Sequence, residues 1–480
     1  MKKWLLIGLS AVMVFFVGTV FLFPLGVGFF VKTTYPQMLQ ALSKSGDVQL
    51  KLLSYHRGWF NSEAAVQVKL AHPSLLKLSD WVSTDKEQPP IEFVVTQNIE
   101  HGPWLMVTTH KGQSRLFLGQ AMIKSHINPA MGDIDSMTLV KLRGSILTVL
   151  TAPDIKYINK KEGVIAGLSG LTATLNLSPK LTELTGQVKL PQIMLRTNEY
   201  QQKITGLNAR YKLFTSNSGL FLGDRFTKID NVTWSTTEQH SKIKLNGLAM
   251  QSKSSEKQGR VNYELKAVLN TINLNDTDYG PQQIDFAVKN LDIPGLLTLR
   301  QQLGQLQSNN HLSSMQLMKY NELFMMLLSK GLEVDLRKIK LVTPWGKPII
   351  VGRLILHPQT SLAMNLDTFL TYMDAKLHME IPGPILVQTL EKLNQTALGK
   401  ELGLADETDL DKSGDDTAVI RQRVKDKLTN WVENNLLIAE QDGYLFDLLF
   451  QNDKAYINGH PYHKPEQEVV NTVNIPTETS

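Results

Sequence analysis

Two imidazoles stand where the chain could bring ligands together. His56 precedes Arg57-Gly58-Trp59 and His101 precedes Gly102-Pro103-Trp104, so each has a glycine within two residues and a tryptophan three residues on. Histidines at two hairpin tips can ligate a metal or act as a general base pair. The plainer reading is the one expected: the glycines permit tight turns, and the histidines and tryptophans pack and hydrogen-bond there. Asp409, Asp411, Ser413, Gly414 and Asp415 follow the first half of a calcium loop, yet Ile420 stands at the twelfth position, where a bidentate glutamate would close the cage. A solvated acidic linker is expected, with no bound metal and no cofactor. The chain has no phosphate loop, no His-Glu-x-x-His and no Gly-x-Ser-x-Gly elbow; Gly167-Leu168-Ser169-Gly170 does not match the last. Serines, histidines and carboxylates distant in sequence can still converge, a possibility that spacing leaves open.

The elements that would carry these residues read mainly as strands. Val48, Leu50 and Leu52 alternate with polar residues, the phase slips near Leu53, and the strand runs to a turn at Tyr55-His56-Arg57-Gly58-Trp59-Phe60. Val66, Val68 and Leu70 form the returning strand, and Ile91, Phe93 and Val95 begin another that ends at His101-Gly102-Pro103-Trp104. From Arg115 to Leu291 strand-length segments recur without intervening helices, which implies an antiparallel meander. Leu171, Ala173, Leu175 and Leu177 show the alternation, as do Val261, Tyr263, Leu265 and Ala267. No strict repeat period accompanies it.

Helical spacing interrupts the strands three times. Leucine stripes over Pro294 to Lys330, broken at Asn309 and Asn310, predict a helical hairpin, whose Met325, Met326, Leu327 and Leu328 read as core. Leu386, Leu390, Leu393 and Ala397 predict a helix over 384–398, and Ile420, Val424, Leu428 and Trp431 another over 417–440. Between them, Met373, Ala375, Leu377, Met379 and Ile381 form the cleanest alternating strand. Tyr444 to Phe450 is read as the final strand, turning at Asn452-Asp453 into Ala455 to Ile457.

The first thirty residues set the compartment. Lys2 and Lys3 precede an uncharged run from Trp4 to Val31, and Trp4 to Phe23 alone makes a helix of roughly 30 Å, the thickness of a bilayer core. A cleaved secretory signal would have a shorter apolar region, and Gly26-Val27-Gly28 is a poor cleavage site. The positive-inside rule leaves the short end in the cytoplasm and the bulk across the membrane. A net charge of +5 includes Lys2 and Lys3 and is too small to argue for nucleic acid. With no cysteine, disulfides, thiolate metal sites and a lipoprotein anchor are excluded.

Tyr55-His56-Arg57-Gly58-x-Phe60, His101-Gly102-Pro103, Asp374-Ala375-Lys376-Leu377 and the segment from Gly443 to Gly459 resemble the YdgA-like family of bacterial envelope proteins. Together with the single amino-terminal membrane helix, the resemblance runs nearly the whole length. It implies a periplasm-facing inner-membrane protein without established activity, capable of self-association. The family defines no catalytic or binding residues, so Tyr55, His56, Arg57, Gly58, Phe60, His101, Gly102 and Pro103 remain candidates by motif alone.

These readings describe a mainly β protein with helical segments: a transmembrane helix, then an extended, curved antiparallel sheet partly covered by helices. The expected divisions are 1–33 cytoplasmic tip and anchor, 34–292 sheet, 293–331 helical hairpin, 332–382 further sheet, 383–463 helices and a terminal hairpin, and 464–480 disordered tail. The expected role is non-catalytic, through self-association, a partner envelope protein or a lipid acyl chain held on apolar sheet surface. A periplasmic hydrolase with a convergent site is the alternative. Alkaline phosphatase fused after residue 60 is expected to be active, and an inactive fusion refutes the orientation.

Overall fold

The computed structural model describes residues 48–70, 91–108, 114–127, 134–159, 163–180, 182–236, 242–298, 325–358, 371–393 and 417–462. The expected membrane helix, the acidic loop with its half calcium motif, the middle of the helical hairpin and the tail lie outside these residues. Among the described residues no helix is long and apolar enough to cross a membrane. The chain divides into two compact units, Met1–Phe324 and Met325–Ser480.

The first unit is β structure, and every strand pairing in it is antiparallel. It begins with β1 (Val48–Arg57), β2 (Asn61–Leu70), β3 (Ile91–His101), β4 (Trp104–Thr108), β5 (Ser114–Ile127), β6 (Ile134–Lys141) and β7 (Ile146–Ala152). Next come β8 (Ile155–Asn159), β9 (Val164–Ser169), β10 (Leu171–Leu177), β11 (Glu183–Arg196) and β12 (Tyr200–Thr215). The last are β13 (Phe221–Thr236), β14 (Lys242–Lys257), β15 (Arg260–Leu274), β16 (Thr277–Tyr279) and β17 (Gln282–Asp292). Pairing runs β1-β2-β3-β5-β6-β7-β10-β11-β12-β13-β14-β15-β17, the meander that the absence of crossover helices implied. β4 extends β3 along β5, β8 and β9 attach beside the end of β11, and β16 folds back on β15.

A line of interruptions crosses this sheet. Register places Gly170 opposite Pro153 and Pro191, Gly206 opposite Pro191 and Asp230, and Gly247 opposite Asp230 and Asn270. Gly170, Gly206 and Gly247 have φ of +63°, +69° and +67°. Left-handed backbone turns a strand out of its pleat, and glycine adopts it without a Cβ penalty. Each glycine also makes room: a Cβ at Gly206 would overlap the Asp230 carboxylate, and one at Gly247 the Asn270 amide. Strands β11 to β15 pass through the line and so reach 14 to 16 residues, far beyond the usual ~5–6.

The second unit holds β18 (Leu332–Lys340), β19 (Ile349–Leu356), β20 (Met373–Pro382), helix α1 (Gly383–Leu393) and helix α2 (Thr417–Glu433). These are followed by β21 (Ile438–Glu440), β22 (Gly443–Gln451), β23 (Lys454–Ile457) and β24 (His460–Tyr462). Its strands pair antiparallel in the order β18-β19-β20-β22-β23-β24. Leu390 of α1, Val424 and Leu428 of α2 and Leu437 form a buried cluster against Tyr444 and Phe446, so the predicted helix faces do cover one side of this sheet.

Two boundaries differ from expectation. The helix expected to reach residue 440 ends at Glu433, because Asn435 takes the left-handed cap position with φ +57°. The Leu436 N–H then donates to the Trp431 carbonyl at 2.7 Å, and residues 438–440 become β21. The terminal hairpin expected to end with Ala455 to Ile457 continues into β24, which pairs with β23 through a two-residue turn at Asn458-Gly459 with φ +49° and +80°.

Gly206→Ala is expected to cost about 2–3 kcal/mol, since it adds overlap with Asp230 to the left-handed penalty. Gly259→Ala, equally left-handed but with nothing within 4 Å of a Cβ, is expected to cost only about 1 kcal/mol. Urea unfolding checks both values, and an Asp230→Ala background should return part of the first.

Candidate functional site

One backbone irregularity places the first motif. β1 and β2 are in continuous register except at Leu53, which is bulged out between Leu52 and Ser54. Before the bulge Leu50 and Leu52 oppose Val68 and Val66, and after it Tyr55 and Arg57 oppose Ala64 and Ser62. One face of β1 to β6 is therefore core, with Ala64, Val66, Val95, Ile99 and Ala121 buried and Tyr55 packed against them. Ser54 and His56 point to the other face.

That other face forms a groove of about 740 Å³. Register arranges its floor in two rows: Ser54, Ala65, Thr96, His126, Asp135 and Thr151 in one, and His56, Glu63, Asn98, Lys124, Met137 and Val149 in the other. Six strands at ~4.8 Å spacing make a channel roughly 24 Å long running across the strands. Most side chains of the two rows carry a hydroxyl, amide, imidazole or charge, although carbon supplies the larger part of the exposed lining. His126 Nδ1 lies 2.9 Å from Asp135 Oδ1, and Lys124 Nζ lies 2.5 Å from Glu100 Oε1 in the row beyond. The Thr96 hydroxyl donates to the His126 carbonyl at 3.3 Å.

His101 occupies the opposite face. Its Nδ1–H donates to the Trp59 carbonyl at 3.3 Å, so in the neutral ring Nε2 accepts the Ser62 hydroxyl at 3.0 Å. A serine donating to an oriented imidazole resembles a nucleophile and base. Ser62 is 1% exposed and His101 4%, however, which leaves no path for a substrate. The pair ties the β1–β2 turn to β3, and the His101 N–H adds a bond to the Phe60 carbonyl at 2.7 Å. His56 and His101 therefore lie on opposite faces, and the idea of a shared ligand pair gives way to turn packing at His101.

The other motif residues surround that turn. The Gly58 N–H bonds the Asn61 carbonyl at 2.7 Å to close it, and Phe60 is exposed. Gly102 and Pro103 join β3 to β4, and the Gly102 N–H donates to the Gln120 carbonyl at 2.6 Å. A Cβ at Gly102 would collide with the Gly119 carbonyl, so only glycine fits this crossing. Beyond it the β4–β5 ribbon folds over, and Leu105 is buried against Met122 and Leu139.

The third motif lies in the second unit. Asp374, Lys376, His378 and Glu380 alternate outward from β20, away from the face carrying Tyr444 and Phe446. His357 Nε2 meets Asp374 Oδ2 at 2.7 Å, and His378 Nδ1 meets Asp447 Oδ1 at 2.8 Å. Among the described residues no group of three or more His, Cys, Asp or Glu could hold a metal. Sequence reasoning missed both His126–Asp135 and His378–Asp447. Only the nine-residue separation of the first, across a hairpin, carries any local signal.

The Asp447 hydrogen bond, with a smaller contribution from Glu380, raises the His378 pKa above the ordinary 6.5 against the opposing effect of desolvation. A raised native pKa means that the pair's stabilisation is complete below the unfolded value and fades as pH rises through the native one. The side chain is 35% exposed, so solvent screening keeps the contribution small. In an NMR titration His378 is expected to titrate above 6.5, and Asp447→Asn to lower its midpoint toward 6.5.

No curated protein and no solved structure matches the chain. A family model spans its described elements and both histidine motifs, matching residues 1–463, and by that match the chain belongs to the family described as bacterial protein of unknown function, DUF945.

Proposed function

We propose that this chain is a non-catalytic binding protein, held on the periplasmic side of the bacterial inner membrane by its apolar leading segment, and that the six-strand groove is its working surface. The observation that carries the reading is the pair of parallel rows in the groove floor. They extend perpendicular to the strands, they are about three times longer than wide, and hydrogen-bonding side chains make up most of them. An acyl chain lying there would strip water from Glu63, Asn98, His56 and Thr151 without replacing their hydrogen bonds, at about 1–3 kcal/mol per group. A peptide could not add as a strand, because the sheet's own ladder uses the backbone groups beneath the groove. A hydroxyl-rich chain, such as a glycan strand, matches short donors and acceptors at strand spacing.

The hydrolase alternative has one observation in its favour, the His126–Asp135 pair. Ser54 shares its row, but three strand spacings, about 14 Å, separate it from His126. The Thr96 hydroxyl is already donated to a backbone carbonyl. A base without a nucleophile in reach favours binding over covalent catalysis.

The test is calorimetric titration of the full chain with β-1,4-linked N-acetylglucosamine oligomers. Saturable binding is expected, with Asn98→Ala weakening it about 5-fold, the equivalent of about 1 kcal/mol for one hydrogen bond. Equal affinity for a fatty acid, or no binding of the oligomers, overturns the proposal. Release of shortened oligomers moves the protein to the hydrolase class.

A further inference from the structure

The end of the first unit that carries the β1–β2 turn exposes an unusual set of side chains. In the β4–β5 ribbon Trp104 pairs with Leu118 and Met106 with Leu116, so all four share one face. Together with Trp59 and Phe60 in the turn they are between 48% and 61% exposed. Phe60 is joined to this ribbon's root through its carbonyl, which accepts the His101 N–H. The ribbon is not a loosely attached excursion, because Leu105 on its inner face is 1% exposed within the Met122 and Leu139 cluster. A rigidly held ribbon thus presents four large apolar side chains on its outer face to solvent, a patch which soluble surfaces rarely tolerate without an occupant.

We infer that this outer face inserts into the interfacial layer of a bilayer with anionic headgroups. Three observations select that occupant. Tryptophan and phenylalanine beside aliphatic residues are the composition that settles at headgroup depth. The charge is complementary: positions 102 to 120 contain no Asp or Glu in a chain with 45 of them, and their sequence includes the cations Lys111 and Arg115. Finally, the chain can reach. The uncharged run ends at Val31, and the residues from Lys32 to Val48 span up to ~54 Å when extended, more than the ~33 Å length of β1 that separates Val48 from the turn. A second membrane contact would hold the sheet against the bilayer surface. This inference does not rest on the groove binding a glycan.

The chain has no cysteine, so Met106→Cys carries a single environment-sensitive fluorophore in the full-length protein. Reconstituted at one copy per nanodisc of phosphatidylethanolamine and phosphatidylglycerol, the label at position 106 is expected to emit to the blue of its detergent value and to be quenched by nitroxide-bearing lipid. The shift is expected to shrink in phosphatidylcholine discs and in high salt. Adding Trp104→Ser and Leu116→Ser should abolish the quenching while leaving the circular dichroism and melting unchanged, since neither side chain belongs to the core. A label that stays water-exposed in single-copy anionic discs overturns the inference. So does a shift that appears only at several copies per disc, which assigns the face to a second copy of the chain.

Discussion

A strand shows its side chains alternately to two faces, and a single extra residue exchanges them. Leu53 is that residue here. Without its bulge, Tyr55 and Arg57 would leave the core face and Ser54 and His56 would leave the groove, since one residue of slip reverses every side chain beyond it. The first row of the groove and the packing of the β1–β2 turn both follow from this irregularity. The motif residues around positions 55 to 60 therefore divide between structure and surface: Tyr55 packs in the core, Gly58 closes the turn, and His56 faces the groove.

The same physical rule governs the long strands. A sheet whose strands run to 16 residues accumulates twist, and the row of left-handed glycines lets it turn without ending the strands. Each glycine sits beside a larger residue on the neighbouring strand, Asp230 beside Gly206 and Asn270 beside Gly247. The glycine supplies both the backbone freedom and the space. Breaks that fall on one line are a property of the sheet as a whole, for a lone glycine would only weaken its own strand.

Burial separates two histidine arrangements that look alike on paper. Ser62–His101 has the distance of a catalytic pair but stands in the core, where its hydrogen bonds satisfy polar groups that water cannot reach. His126–Asp135 lies in the open groove, where solvent competes for the same bond. The motif that drew attention in the sequence, His-Gly-Pro, is thus structural, whereas the groove face carries His56, from the turn motif, and His126, which belongs to no motif.

Much of this was legible from residue order. Alternation at Val48 to Leu52, at Leu171 to Leu177 and at Met373 to Ile381 specified strands and their apolar faces, the slip at Leu53 was visible, and apolar residues at helical spacing located α1 and α2 with the faces they bury. The end of α2 was misplaced because periodicity continues through Leu436 and Leu437, while the stop comes from the backbone of Asn435. What no local pattern could decide is which strands become neighbours and in what register. Thr96, His126 and Asp135 share a row only because β3, β5 and β6 pair as they do, and His56 and His101 part company for the same reason. Period-two alternation is written in the sequence of each strand alone, whereas a row across six strands is set by pairings between residues far apart in the chain, and these exist only once the sheet has formed.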